Sequence, residues 1–304
     1  METLVKLVPL ARDLWVYVAI DVGLALLLLL VMKWLSRSRA KVSVSDELGV
    51  KDNFAFGISV AGGMLSLCLV LSSVVGRHVG QGYEQAAIGM VIFGIIGILL
   101  VKMGRFAHDK IVLDAVDTQH KISDRNVSVA LVDASSLVSS AIILRSIMVW
   151  VDGSDVNAMI AIVTGFLVVL TILLIMTRIY EMRYAMQNQN HSFQSALDTG
   201  QLALAVQHAG NLLGTAIVVS SAGALLSYSP EGYVSNVTGW LLTSVVLSLL
   251  LWILVAFSKR AILNGINYQK EVDEQHNVGV AAVELTLSIG LAMIISSVLS
   301  SSAG

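Results

Sequence analysis

Residues 126–146 read NVSVALVDASSLVSSAIILRS, and residues 277–297 read NVGVAAVELTLSIGLAMIISS. Asn126 answers to Asn277, Asp133 to Glu284, Ser135 to Thr286, Ala141 to Ala292 and Ser146 to Ser297, each pair 151 residues apart in a chain of 304. Each stretch has the roughly 20 apolar residues that a membrane-spanning helix requires. Continuous apolar runs without period-two alternation favour helices over an outer-membrane barrel.

Working outward, eight such runs emerge, at about 14–35, 54–75, 85–103, 127–148, 156–177, 201–225, 238–257 and 278–300. The expected fold class is all-α: a polytopic membrane helical bundle of about eight transmembrane helices. It divides into two four-helix halves, residues 1–152 and 153–304. The second and sixth spans share the pattern more loosely, with Gly57 matching Ala205 and Ser73 matching Ser221. Each hairpin crosses the membrane an even number of times, so its copies share one orientation and the repeat is parallel, about an axis along the membrane normal. The only prolines, Pro9 and Pro230, lie outside the spans, so no span carries the proline that breaks helices in many transporters. The first run is too long for a cleavable signal, and its positive flank, Lys33, Arg37 and Arg39, follows it; it is expected to stay in the mature protein.

Composition agrees with this reading. Hydrophobic residues make up 56% of the chain, charged residues only 13%, and the mean hydropathy is +0.80. Soluble domains carry about a quarter charged residues. The net charge of −2 supplies no basic field for nucleic acid, which is not expected as a partner. Cys68 is the single cysteine, so no internal disulfide is available.

Long polar linkers follow the odd-numbered spans, and short loops follow the even-numbered ones. Fifteen of the nineteen Lys and Arg residues lie in those linkers or at the ends leading into them, against Lys6, Arg12, Arg77 and Arg145 elsewhere. The positive-inside rule puts the linkers in the cytoplasm and both termini on the periplasmic or extracellular side. Trp15, Trp150 and Trp240 fall at outer span ends and Trp34 at an inner one, as an aromatic belt requires.

The even spans are rich in Gly, Ser and Ala, which let backbones approach; they are expected to form an inner bundle, with the odd spans facing lipid. One depth in the even spans carries Val60, Asp133, His208 and Glu284. Seven residues of helix put this level about 10 Å inside each span. Burying an ionised group there costs at least about 2.5–3.5 kcal/mol, so such groups face a cavity or a partner. Asp133, Ser136 and Ser140 share one helix face; so do His208, Asn211 and Thr215, and so do Glu284 and Ser288. With Gln207 beside them, these residues are candidates to line a transport path between the even spans. Two other readings stand: a buried polar cluster that fixes helix register, and a cation held by the carboxylates and the imidazole. Asp21 is a further deep acid, expected to point inward or to lie at a protomer interface. Arg145 is expected to snorkel to the surface rather than pair with Asp21.

In the second linker region, His108, Asp109, Asp114, Asp117 and His120 match no metal-ligand spacing and read as a solvated surface segment. No phosphate-binding loop, nucleophile elbow or zinc-protease helix occurs; neither catalytic residues nor a cofactor nor a metal is expected, and an enzyme is disfavoured.

Gly104-Arg-Phe-Ala-His-Asp109, Asn126 to Ser146 and Asn277 to Ser297, set among greasy helices and polar linkers, resemble the family of domain of unknown function 350, the YjfL-like bacterial inner-membrane proteins. The resemblance implies paired-helix units in tandem and a bacterial inner-membrane location, with no established activity and no catalytic residues. It also implies a setting among membrane-stress proteins, with a cytoplasmic partner related to phage shock protein A. Two functions follow as expectations. One is a channel or transporter for ions or a small polar solute. The other is a structural adaptor that docks a peripheral partner through linker charges such as Arg105, Lys110 and Lys121; a homo-oligomer is a further expectation.

Overall fold

The computed structural model describes residues 13–40, 42–75, 82–189 and 191–302. Lys6, Pro9, Arg12 and Arg77 lie outside the described residues. The elements in chain order are α1 (Leu14–Ala40), α2 (Val44–Gly49), α3 (Phe54–Val74), α4 (Tyr83–Ile111), α5 (Thr118–Ser123), α6 (Val127–Trp150), α7 (Val156–Gln187), α8 (Phe193–Asp198), α9 (Leu202–Ser220), α10 (Tyr233–Ile262) and α11 (Val278–Ser302). A 3-10 turn, Ser221–Leu225, extends α9, and a π turn, Lys270–Glu274, stands where the other linkers carry a short helix. Eight of these helices are long and apolar enough to cross a membrane, and every run read from the sequence is among them.

The start of each even span is locally encoded. Asn53 and Asn126 accept from the backbone N–H of Phe56 and Val129, and Asn277 accepts likewise from Val280. Such a cap satisfies one of the donors that a helix start leaves free. One residue earlier the backbone is left-handed at all four starts: Asp52 (φ 48°), Arg125 (φ 67°), Gly200 (φ 89°) and His276 (φ 56°). Only Gly200 adopts this conformation without the steric cost of a Cβ.

The eight spans form two layers. The even row runs α3, α6, α9, α11, each packed on the next, and the odd helices α1, α4, α7 and α10 lie across one face of it, each packed on the next. Glycines set the closest seams. A Cβ on Gly62 would lie 2.6 Å from that of Ala134, and a Cβ on Gly210 would lie 2.5 Å from the Cα of Leu285. These two contacts occupy repeat-equivalent positions in α3/α6 and α9/α11.

Three expectations need correction. The even helices do not close into an inner bundle: among the described residues no seam joins α11 back to α3. Accordingly 22% of the α11 span is buried, against 56% of α7, an odd helix. The four-span row has two ends, and burial follows position in the row, not apolarity. Trp240 is not in a lipid-facing belt; it is fully buried, its ring 5.4 Å from that of Trp150. Trp15 and Trp34 are exposed as expected. Finally, α4, α7 and α10 run well past their apolar runs, carrying residues read as linker into the packed helices.

Candidate functional site

That helical extension supplies the partners of the buried acids. In the first half, Arg105 on α4 reaches Asp133 on α6, with Nε 2.6 Å from Oδ1 and Nη2 2.8 Å from Oδ2. Ser59 on α3 donates to the same Oδ2 at 2.5 Å. In the second half, Lys259 on α10 lies 2.5 Å from Glu284 Oε1, and Gln207 on α9 donates to Oε2 at 2.9 Å. Asp133 is completely buried and Glu284 nearly so. Ser59 and Gln207 are 148 residues apart, the offset that also relates Gly57 to Ala205, so each half builds the same triad of cation, acid and hydrogen-bond donor. Pairing is the physical condition for holding these charges at membrane depth.

Asp133 and Glu284 therefore sit in separate clusters, one per half, not on one shared path. Arg105, read as a linker charge, belongs to the first cluster. Ser136 donates to the carbonyl of Asp133, Ser140 packs on Gly104, and Ser288 packs on Gly214. These three serines serve helix packing. Asp21 is half-buried on α1 and lines neither of the cavities described next. Arg145 is exposed and donates from Nε to Ser72 Oγ at 3.1 Å, not to Asp21.

Each triad borders a cavity on the linker side. The first-half cavity, of about 50 Å³, is lined by Met32, Leu35, Phe56, Ser59, Val60, Gly63 and Arg105 among others. The second-half cavity, of about 90 Å³, has Tyr180, Arg183, Leu204, Gln207, His208 and Asn211 at the repeat-equivalent positions, with Lys259 and Glu284 also in its wall. The two sites are thus one site, duplicated and then diverged. Val60 is replaced by His208, Gly63 by Asn211, Met32 by Tyr180 and Leu35 by Arg183, which makes the second recess the more polar of the two, although Lys102, Gln119 and Ser123 also line the first. Four of the residues singled out from the sequence, Gln207, His208, Asn211 and Glu284, meet here.

His208 is 2% exposed, lies against the ring of Phe193 at 4.7 Å, and has no hydrogen-bond partner at Nε2. At 6.0 Å it faces His108 of α4, edge to face, at the junction of the two halves. His108 is also 2% exposed, so its reading as part of a solvated segment is overturned. The stripe Gly97, Val101, Gly104, His108 is buried throughout and spaced for one helix face; that spacing was available in the sequence. At the cavity mouth, the linker residue Asp273 is held above the ordinary carboxyl range by burial, with Glu284 adding to the effect and a hydrogen bond from Asn188 opposing it. Asp114, in the second linker region, is held below that range by the amide of Gln194, with Arg178 adding to the effect. Among the described residues no three His, Cys, Asp or Glu side chains are grouped to hold a metal ion.

The sequence model of the family described as Domain of Unknown Function (DUF350) matches residues 8–148 and again residues 154–299. The chain belongs to the DUF350 family. It carries the DUF350 unit twice in tandem, in agreement with the duplicated triad and cavity. No curated protein and no solved structure matches the chain.

Proposed function

We propose that this tandem DUF350 protein is a transport protein of the bacterial inner membrane, and that it takes a small polar or ionic solute from the cytoplasmic, linker side into the second-half cavity. The observation that carries this reading is the divergence of the two repeat-equivalent cavities. At four positions where the first half has Met32, Leu35, Val60 and Gly63, the second half has Tyr180, Arg183, His208 and Asn211; these come on top of the polar residues that each cavity already carries, Ser59, Lys102 and Arg105 in the first and Gln207 and Lys259 in the second. Polar groups at membrane depth cost free energy that an apolar core avoids; solute binding is the reason for their presence. Lys259, Glu284, Gln207 and Asn211 offer both donors and acceptors, and His208 Nε2 adds a buried nitrogen with no protein partner. The reading involves no covalent step.

The adaptor reading has less support. Of the three linker charges it would use, Arg105 is committed to Asp133 and Lys121 to Asp198 at 2.8 Å, which leaves Lys110 exposed. Docking of a partner related to phage shock protein A would have to use other linker surface.

The deciding experiment is uptake of candidate ions and small polar solutes into proteoliposomes. The parent protein should carry flux, and a variant given the first-half residues, His208→Val with Asn211→Gly, should lose it while remaining folded. Absence of flux in the parent, or equal flux in parent and variant, overturns the assignment.

A further inference from the structure

The four even spans are tied together on the linker side by a repeated latch. Asn53 Nδ2, at the start of α3, donates to the carbonyls of Ile122 and Ser123 at the end of α5, at 3.2 and 3.3 Å. Asn126, at the start of α6, donates to Leu197 and Asp198 at the end of α8, at 3.0 and 3.1 Å. Gln201, at the start of α9, donates to Val272 and Asp273 in the π turn, at 3.3 and 2.9 Å. Each even helix thus grips the linker element that precedes the next even helix. The amide of Asn277, at the start of α11, bonds to Glu271 of its own linker at 2.8 Å, as that of Asn53 also does to Glu47 at 3.0 Å.

In the membrane layer the two ends of the row differ from its middle. The halves meet where α6 packs on α7, α8 and α9 and where α4 packs on α7. Ser146 Oγ donates across this seam to the carbonyl of Ser220 at 2.5 Å. Repeating the half-to-half step once more would set α11 against α1, α2 and α3, but among the described residues no such seam exists. Burial records the deficit at both ends of the row: 78% of the α6 span is buried against 22% of its counterpart α11, and 56% of α7 against 11% of its counterpart α1. Ser297, the counterpart of Ser146, is exposed at one end; at the other, Ser72, the counterpart of Ser220, is exposed apart from the bond that Arg145 of α6 makes to its Oγ. Small and hydroxylated residues are what helix–helix seams in membranes use.

We propose that a second copy of this chain packs its α1–α3 edge against α11, repeating the α6/α9 seam, so that copies join head to tail. The two surfaces differ, so the contact is heterologous, and a parallel repeat about the membrane normal keeps every copy in the same orientation. Across this contact, Asn277 reaches the carbonyls at the end of the neighbour's α2, as Asn126 reaches those of α8. The proposal does not depend on the transport reading, and its test does not use flux.

In a Cys68→Ala background, one tagged protein carries Ser297→Cys and a differently tagged one carries Ser72→Cys; they are co-expressed and oxidised in native membranes. The expected result is a disulfide-linked species containing both tags, absent when either variant is expressed alone. An intrachain control, Ser146→Cys with Ser220→Cys, reports that the seam itself is intact. Loss of the mixed species while the control links, or linkage of Ser297→Cys to itself, overturns the head-to-tail contact. Native mass spectrometry of the unaltered chain in lipid nanodiscs gives a second reading: multiples of 32.5 kDa support the head-to-tail contact, and a single 32.5 kDa species overturns it.

Discussion

Arg105 holds both carboxylate oxygens of Asp133 from a neighbouring helix, at 2.6 and 2.8 Å, with the acid completely shielded from solvent. Lys259 repeats the relationship with Glu284 through a single nitrogen. Asp133 thus faces two nitrogens of one guanidinium, of which Nη2 makes the hydrogen bond, and Glu284 faces one ammonium, so the two halves keep the charge pairing while differing in geometry.

Breaking the first pair from one side should be costly. Asp133→Ala or Arg105→Ala leaves an unpaired charge in the bundle and should lower stability by about 3–5 kcal/mol. The double variant Asp133→Leu with Arg105→Leu should recover most of that loss. Unfolding in mixed micelles measures both; single variants no worse than the double would show that the pair does not hold the fold.

The α3/α6 seam depends on the absence of a side chain at Gly62. Gly62→Ala puts a methyl group 2.6 Å from the Ala134 Cβ, so the two helices must part. The expected loss is about 1–3 kcal/mol, the usual cost of overpacking. Gly23→Ala, where nothing lies within 4 Å, should be neutral or slightly stabilising. Equal behaviour of the two in thermal melts would refute a close seam.

Acid should loosen the first linker. Glu47 is 3% exposed, and its carboxyl is held below the ordinary 4.5 chiefly by the hydrogen bond from Lys51, with Asn53 adding to it. A folded-state value below the unfolded one means that this contribution is complete above pH 4.5 and is lost as pH falls through the lowered value. Melting profiles across that range should flatten in Glu47→Gln. A profile identical to the parent's would show that Glu47 does not couple to folding.

Much of the architecture was legible because its signals are local. Span length, the asparagine caps at 53, 126 and 277, and the acid at matched depth in two spans are all visible in one dimension. The site was legible only in part. Gln207, His208, Asn211 and Glu284 meet in one cavity, but Asp133 belongs to the other half. Arg105, His108 and Lys259 were placed in linkers because the apolar run ends before them, whereas the helix does not. Their backbone stays helical because each side chain finds a partner or a buried face inside the bundle.

The sequence by itself determined the eight spans, the all-α membrane class, the two parallel halves and the small-residue faces, since apolar length, capping and periodicity are properties of consecutive residues. Only the tertiary structure decided that the even helices stand in an open row, that each acid has its own cation, and that one of two equivalent cavities is the more polar. Those outcomes depend on residues 25 to 77 positions apart meeting across helices, Lys259 with Glu284 and Gln207 with Glu284, and periodicity within one helix carries no information about which face meets which neighbour.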